Sequence, residues 1–162
     1  MLTVKEMGKI NVIKVSTKKD LDAFIKFPLD LYAGNGQFVP EMANDVRDSF
    51  NPEKNHGLSF TEVQAFIAER DGEVVGRIAG IINTRANRKW NASVVRFGYI
   101  DFIDDPEVSK ALLDTVVERG RERGMTEIQG PLGITDFDME GMLVEDFDRK
   151  GTMIDIYNYP YY

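Results

Sequence analysis

The chain contains no cysteine, so disulfides, thiol nucleophiles and cysteine-ligated metals are excluded. It has one histidine, His56, between Asn55 and Gly57 in a polar stretch, where a surface position is expected. A lone histidine argues against a zinc centre. The single tryptophan, Trp90, follows Arg88 and Lys89 and is read as an anchor that packs a loop onto the domain. No apolar run approaches the ~20 residues of a membrane span. The first fifteen residues lack the continuous apolar centre of a secretory signal. A cytoplasmic chain without a membrane partner is expected. Positive charge is also scarce. The 20 Lys and Arg face 27 Asp and Glu, giving a net charge of -7 and a pI near 4.8. Such a chain repels nucleic-acid phosphate. Its densest basic stretch, Arg85, Arg88 and Lys89, is read as a solvated loop.

What remains is ordinary for a soluble globular domain: 162 residues, 43% hydrophobic and 29% charged. That length implies one domain, here residues 1–162, able to remove roughly two-thirds of its unfolded surface from water. Residues 10–15 alternate as a first strand. Thr17 caps a helix with Asp20 at its third position, where a carboxylate favours the positive end of the dipole. Pro28 is expected to kink or restart that helix. Pro40 opens a second short helix carrying Met42, Val46 and Phe50. Residues 63–70 and 73–83 flank Asp71-Gly72, the favoured pair of a two-residue type I′ hairpin. Gly76 and Gly80 share one face of the second hairpin strand and mark bulges or a close backbone approach. Residues 93–103 form a further strand. Residues 106–123 form the strongest helix, with Asp105 as cap, Pro106 at the first helical position and Gly124 at the stop. A short strand at 126–130, an irregular acidic stretch at 131–150 with one helical turn around 141–147, and a last strand at 152–157 complete the chain. The resulting order, β-α-α-β-β-β-α-β-β, implies a mixed sheet with helices on both faces.

The run Phe97-Gly98-Tyr99-Ile100-Asp101-Phe102-Ile103 followed by the 106–124 helix resembles the central strand–helix unit of the GNAT superfamily of N-acetyltransferases. The hairpin around Asp71-Gly72-Glu73-Val74-Val75-Gly76-Arg77-Ile78 is similar to its second and third strands. Further segments, Gly130-Pro131-Leu132-Gly133, Glu140-Gly141-Met142-Leu143-Val144 and Tyr157-Asn158-Tyr159-Pro160-Tyr161-Tyr162, resemble a group of longer bacterial GNAT-like proteins. The resemblance implies an α+β fold, layered, with a mostly antiparallel mixed sheet flanked by helices. It also implies acetyl-CoA as cofactor and a small-molecule amine as acceptor. The pantetheine arm of acetyl-CoA would pair with the backbone of the fourth strand at Phe102 and Ile103. Its pyrophosphate would rest on amides around Asp104, Val108, Ser109 and Lys110, since a helix N-terminus presents free N–H groups and partial positive charge. In the superfamily that loop reads Arg/Gln-x-x-Gly-x-Gly. Here Asp104 stands at the Arg/Gln position, and Glu107 and Ser109 stand at the glycines, which weakens the site. Asn158 resembles an asparagine that precedes a helix bearing a catalytic tyrosine. Tyr161 and Tyr162 come too early for that tyrosine, so no catalytic residue is assigned.

The residues 136–148 hold the densest acidic cluster. It suits a cationic amine, or a solvated loop. Asp136-x-Asp138-x-Glu140-Gly141 opens like a calcium loop, but Phe147 occupies the position that needs a bidentate Glu, so no metal site is assigned. The four tyrosines between 157 and 162 are read as core or interface surface. A domain incomplete at its C-terminus is expected, with an apolar edge at 152–162 that favours a homo-oligomer. The functional expectation is an acetyl-CoA-dependent N-acetyltransferase domain. The alternative is a non-catalytic GNAT-like module used for packing, dimerisation or ligand sensing.

Overall fold

The hairpin organises the domain. In the computed structural model, which describes residues 8–162, Asp71 and Gly72 take φ of 53° and 85° and reverse the chain between β2 (Thr61–Arg70) and β3 (Glu73–Asn83). These strands pair antiparallel along nearly their whole length. Before them come β1 (Asn11–Lys14), α1 (Lys18–Leu31), α2 (Ala43–Ser49) and a 3₁₀ turn at His56–Ser59. After them come α3 (Thr84–Trp90), β4 (Val94–Phe102), α4 (Pro106–Glu122) and β5 (Glu127–Gln129). The sheet runs β1-β2-β3-β4-β5 in space. Its first four strands are antiparallel, and β4 pairs parallel with β5. This is the expected mixed, mostly antiparallel α+β sheet.

Alternation along β2 assigns the two faces. Phe66 and Ala68 pack with Ile78, Val108, Leu112 and Val116 under α4. Ala65 and Ile67 pack with Phe24, Ile25 and Val46 under α1 and α2. Gly76 lets α4 approach the sheet closely, because a Cβ there would lie 2.9 Å from both Leu112 and Val108. α4 begins as its sequence requires, with the Asp105 side chain accepting from the Glu107 amide and Pro106 in the first turn. α1 carries the Thr17/Asp20 capping box.

Five local expectations are corrected. α1 runs through Pro28 without a restart, because the proline lies in its last turn, near the helix end. Residues 84–90, expected as loop, form α3, since the Asn83 side chain caps the Ala86 amide at 2.9 Å. Trp90 is 71% exposed and anchors nothing; Lys89 lies over its ring. Neither the helical turn at 141–147 nor the strand at 152–157 forms. After β5 the chain leaves the sheet, and Ile134 is buried against Ala79 and Ile81 on the face opposite α4. That departure leaves the outer edge of β4 beyond Arg96 without a neighbouring strand. His56 is exposed, as expected. Among the described residues no helix is long and apolar enough to cross a membrane, and no group of three acidic or histidine side chains is placed to hold a metal.

Candidate functional site

The site starts with a break in β4. Ala79 pairs with Gly98 and Arg77 with Asp101, so one residue of β3 faces two of β4. Tyr99 takes a φ of 52° in this bulge. Its ring packs against Phe24 and Phe50, and burial pushes its hydroxyl up to about 12. The β4–β5 ladder ends at Arg96 and Gln129, and the last backbone hydrogen bond between the two chains is the Leu132 amide donating to the Phe97 carbonyl at 2.8 Å. Where the chains part, a cavity of about 630 Å³ opens. It is lined by Gly98, Tyr99, Ile100 and Asp101 of β4 and by Pro131, Leu132 and Gly133 after β5. Apolar side chains of α1, α2 and the later loops, among them Pro28, Met42, Met142 and Ile156, complete the wall.

Its charged floor is a buried network. Arg77 Nε donates to Asp101 Oδ2 at 2.7 Å, with Arg77 5% and Asp101 7% exposed. The guanidinium also donates to the Phe24 carbonyl and lies over the Phe24 ring. Asp101 Oδ1 accepts from Tyr32 at 2.9 Å and from Tyr162 at 3.3 Å. Burial, then the Asp101 charge, raises both tyrosine hydroxyls far above their ordinary range, so they remain protonated donors. Glu41 lines the same cavity and makes no hydrogen bond or ion pair with the described residues. Burial raises its carboxyl, and the Asp101, Asp138 and Asp45 charges add to this while Arg77 opposes it.

The structure gathers the residues expected to hold acetyl-CoA at one place, the end of β4 and the start of α4, but most of their polar groups are already engaged. Tyr161 donates to the Phe102 carbonyl at 2.6 Å, and the Phe102 amide donates to the Tyr162 hydroxyl at 3.0 Å. The Ile103 amide donates to Val75. The Glu107 amide goes to the Asp105 side chain, and the Val108 and Ser109 amides go to the Asp105 carbonyl. Lys110 pairs with Asp114 along the helix. Asp104 is exposed, and Glu107 faces Arg70 at 3.7 Å. Arg70 meets Asp105 at 2.7 Å, and that hydrogen bond holds the Asp105 carboxyl below its ordinary range. A pyrophosphate at this helix start would meet carboxylates and amides already bonded within the helix turn, so CoA phosphates do not fit here. The cavity, by contrast, has a mostly apolar wall. Asn158 is 4% exposed, and its side chain bonds the Leu143 amide and carbonyl, which fixes a loop.

Glu41, Tyr32, Arg77 and Asp101 were missed in the sequence. Arg77 and Asp101 carried a signal: each is a charge set between apolar residues inside a long strand, and chain order places those strands side by side.

Similarity to known proteins agrees with this geometry. No family model matches the chain. It is 32% identical over 145 residues to Protein YghO of Escherichia coli (strain K12), covering 90% of the chain and 37% of that protein. It is 31% identical over 140 residues to a bacterial ceramide synthase of Caulobacter vibrioides (strain NA1000 / CB15N), covering 86% of the chain and 36% of that protein. The chain thus spans just over a third of the length of these curated relatives. Among solved structures it superposes on a tandem GNAT protein from the clavulanic acid biosynthesis pathway with a TM-score of 0.57 and 16% identity, covering 74% of the chain and 35% of that protein. It superposes on the aminoglycoside N-acetyltransferase AAC(6′)-Iy, in complex with CoA, with a TM-score of 0.55 and 18% identity, covering 80% and 82%. The fold of the chain is the GNAT acetyltransferase fold.

Proposed function

We propose that the chain is a GNAT-fold domain of an acyltransferase that moves an acyl group from a CoA-type thioester to an amine. The observation that carries this is the cavity where β4 and β5 part, apolar over most of its wall and holding the half-buried Glu41 carboxylate, which has no hydrogen-bond or ion-pair partner among the described residues. Such a thioester supplies an activated acyl carbon, and the products are an amide and a thiol. An amine enters as an ammonium ion and must lose a proton before it attacks. Glu41 accepts that proton, and its raised carboxyl is better matched to the task than an ordinary glutamate. The Arg77–Asp101 pair and the Tyr32 hydroxyl hold the floor rigid. The named relatives support the amine: AAC(6′)-Iy is an N-acetyltransferase, and a ceramide is an amide of a long-chain amine. Acetyl-CoA is the donor implied by the sequence resemblance, though the cavity has room for a longer acyl group.

The test is thiol release from acetyl-CoA and octanoyl-CoA in the presence of a long-chain amine. Turnover that falls at least tenfold in Glu41→Gln supports the reading, in line with the ~10²–10⁴-fold range of general-base contributions. A second reading, ligand binding without catalysis, is favoured by the self-capped start of α4. Calorimetric binding of an octanoyl thioester with no thiol release would select it.

A further inference from the structure

The outer edge of β4 carries a cover that no strand provides. At Phe102 the backbone amide and carbonyl both point away from β3, and both are bonded to tyrosine hydroxyls of the 157–162 segment. The Tyr162 ring stacks on the Phe102 ring at 4.3 Å, and the Tyr161 ring meets it edge-on at 5.8 Å. The segment has no backbone hydrogen bond to β4. Its attachment to the rest of the domain is by side chains: Asn35 to the Tyr157 hydroxyl, the Tyr159 hydroxyl to Leu31, Asn158 to Leu143, and Tyr162 to Asp101 and Tyr32. Tyr157, Asn158 and Tyr162 also line the cavity. Side-chain contacts to a segment without secondary structure open at lower cost than a strand ladder.

We propose that residues 157–162 form a displaceable strap, in which Tyr161 and Tyr162 occupy the Phe102 backbone groups and must swing away before an extended amide-bearing arm pairs with that edge. The strap thus keeps the cavity closed along β4 until a ligand competes for Phe102. The ligand half of this inference rests on the thioester reading given above. The opening of the strap does not.

Two measurements keep them apart. Amide hydrogen exchange on the 162-residue chain compares Phe102, bonded to Tyr162, with Ile103, bonded to Val75 inside the sheet. The expected result is exchange of Phe102 through local opening, at least about tenfold faster than Ile103 after correction for sequence. Equal protection of the two amides overturns the strap. The second measurement is calorimetric titration with octanoyl-pantetheine of the wild type and of the double variant Tyr161→Phe, Tyr162→Phe, which keeps both rings. Removing two competing hydroxyls is expected to tighten binding by about tenfold or more. Unchanged or weaker binding overturns the competition. Absence of binding to either protein rejects the thioester reading and the competition together, while hydrogen exchange still decides whether the strap opens.

Discussion

Replacing Asp101 by Asn would leave the Arg77 guanidinium buried opposite a neutral amide. Removing one partner of a buried pair costs about 3–5 kcal/mol. Urea unfolding of Asp101→Asn is expected to show a loss of that order, and a loss under about 1 kcal/mol would show that the network holds little together. Glu41 acts in the opposite direction. Burial raises its folded value above the ordinary 4.5, so folding favours the protonated form. That stabilisation is full below 4.5 and is lost as pH rises through the folded value. Glu41→Gln is therefore expected to melt higher than wild type at neutral pH and to lose less stability between pH 4.5 and neutrality. A variant that melts at or below wild type at neutral pH contradicts this. Of these residues, Arg77 and Asp101 left a signal in the sequence that was not read as a site, each being a charge set between apolar residues inside a strand. Glu41 left none, because a glutamate between Pro40 and Met42 reads as an ordinary acid in the first turn of a short helix until two helices and the 131–158 loops fold around it.

At the level of elements, Gly98 lets the chain after β5 lie against β4 at the cavity wall. A Cβ there would lie 2.3 Å from the Leu132 carbonyl oxygen, a backbone atom that has little room to yield. Gly98→Ala is expected to cost about 1–3 kcal/mol by overpacking and to disturb the cavity mouth. Chemical denaturation checks the first effect, and weakened octanoyl thioester binding checks the second. Wild-type stability would place the strain elsewhere. The hairpin and α4 were legible because their signals are local: Asp71-Gly72 for the turn, Asp105 and Pro106 for the helix start. α3 escaped because its seven residues carry no apolar periodicity and depend on the Asn83 cap. The strand expected at 152–157 failed for a different reason. Its sequence is apolar and β-branched enough for a strand, but Met153 and Ile154 are exposed and the segment pairs with no strand. The edge on which self-association was expected is therefore not a strand.

For the whole molecule, the GNAT fold was legible from hairpin, strand and helix in sequence, and the defect at Asp104, Glu107 and Ser109 was legible from their charge and bulk. The structure adds that Asp105 and Arg70 turn this defect into a self-satisfied helix start, and that tyrosines cover the neighbouring strand edge. Under the proposed function, the domain recognises the acyl end of a thioester and not its phosphates. Calorimetric titration of the chain with octanoyl-pantetheine and with octanoyl-CoA tests it directly. Dissociation constants agreeing within about threefold are expected, a difference under 1 kcal/mol. A CoA thioester that binds tenfold tighter or more, or no binding of either compound, would contradict acyl-end recognition.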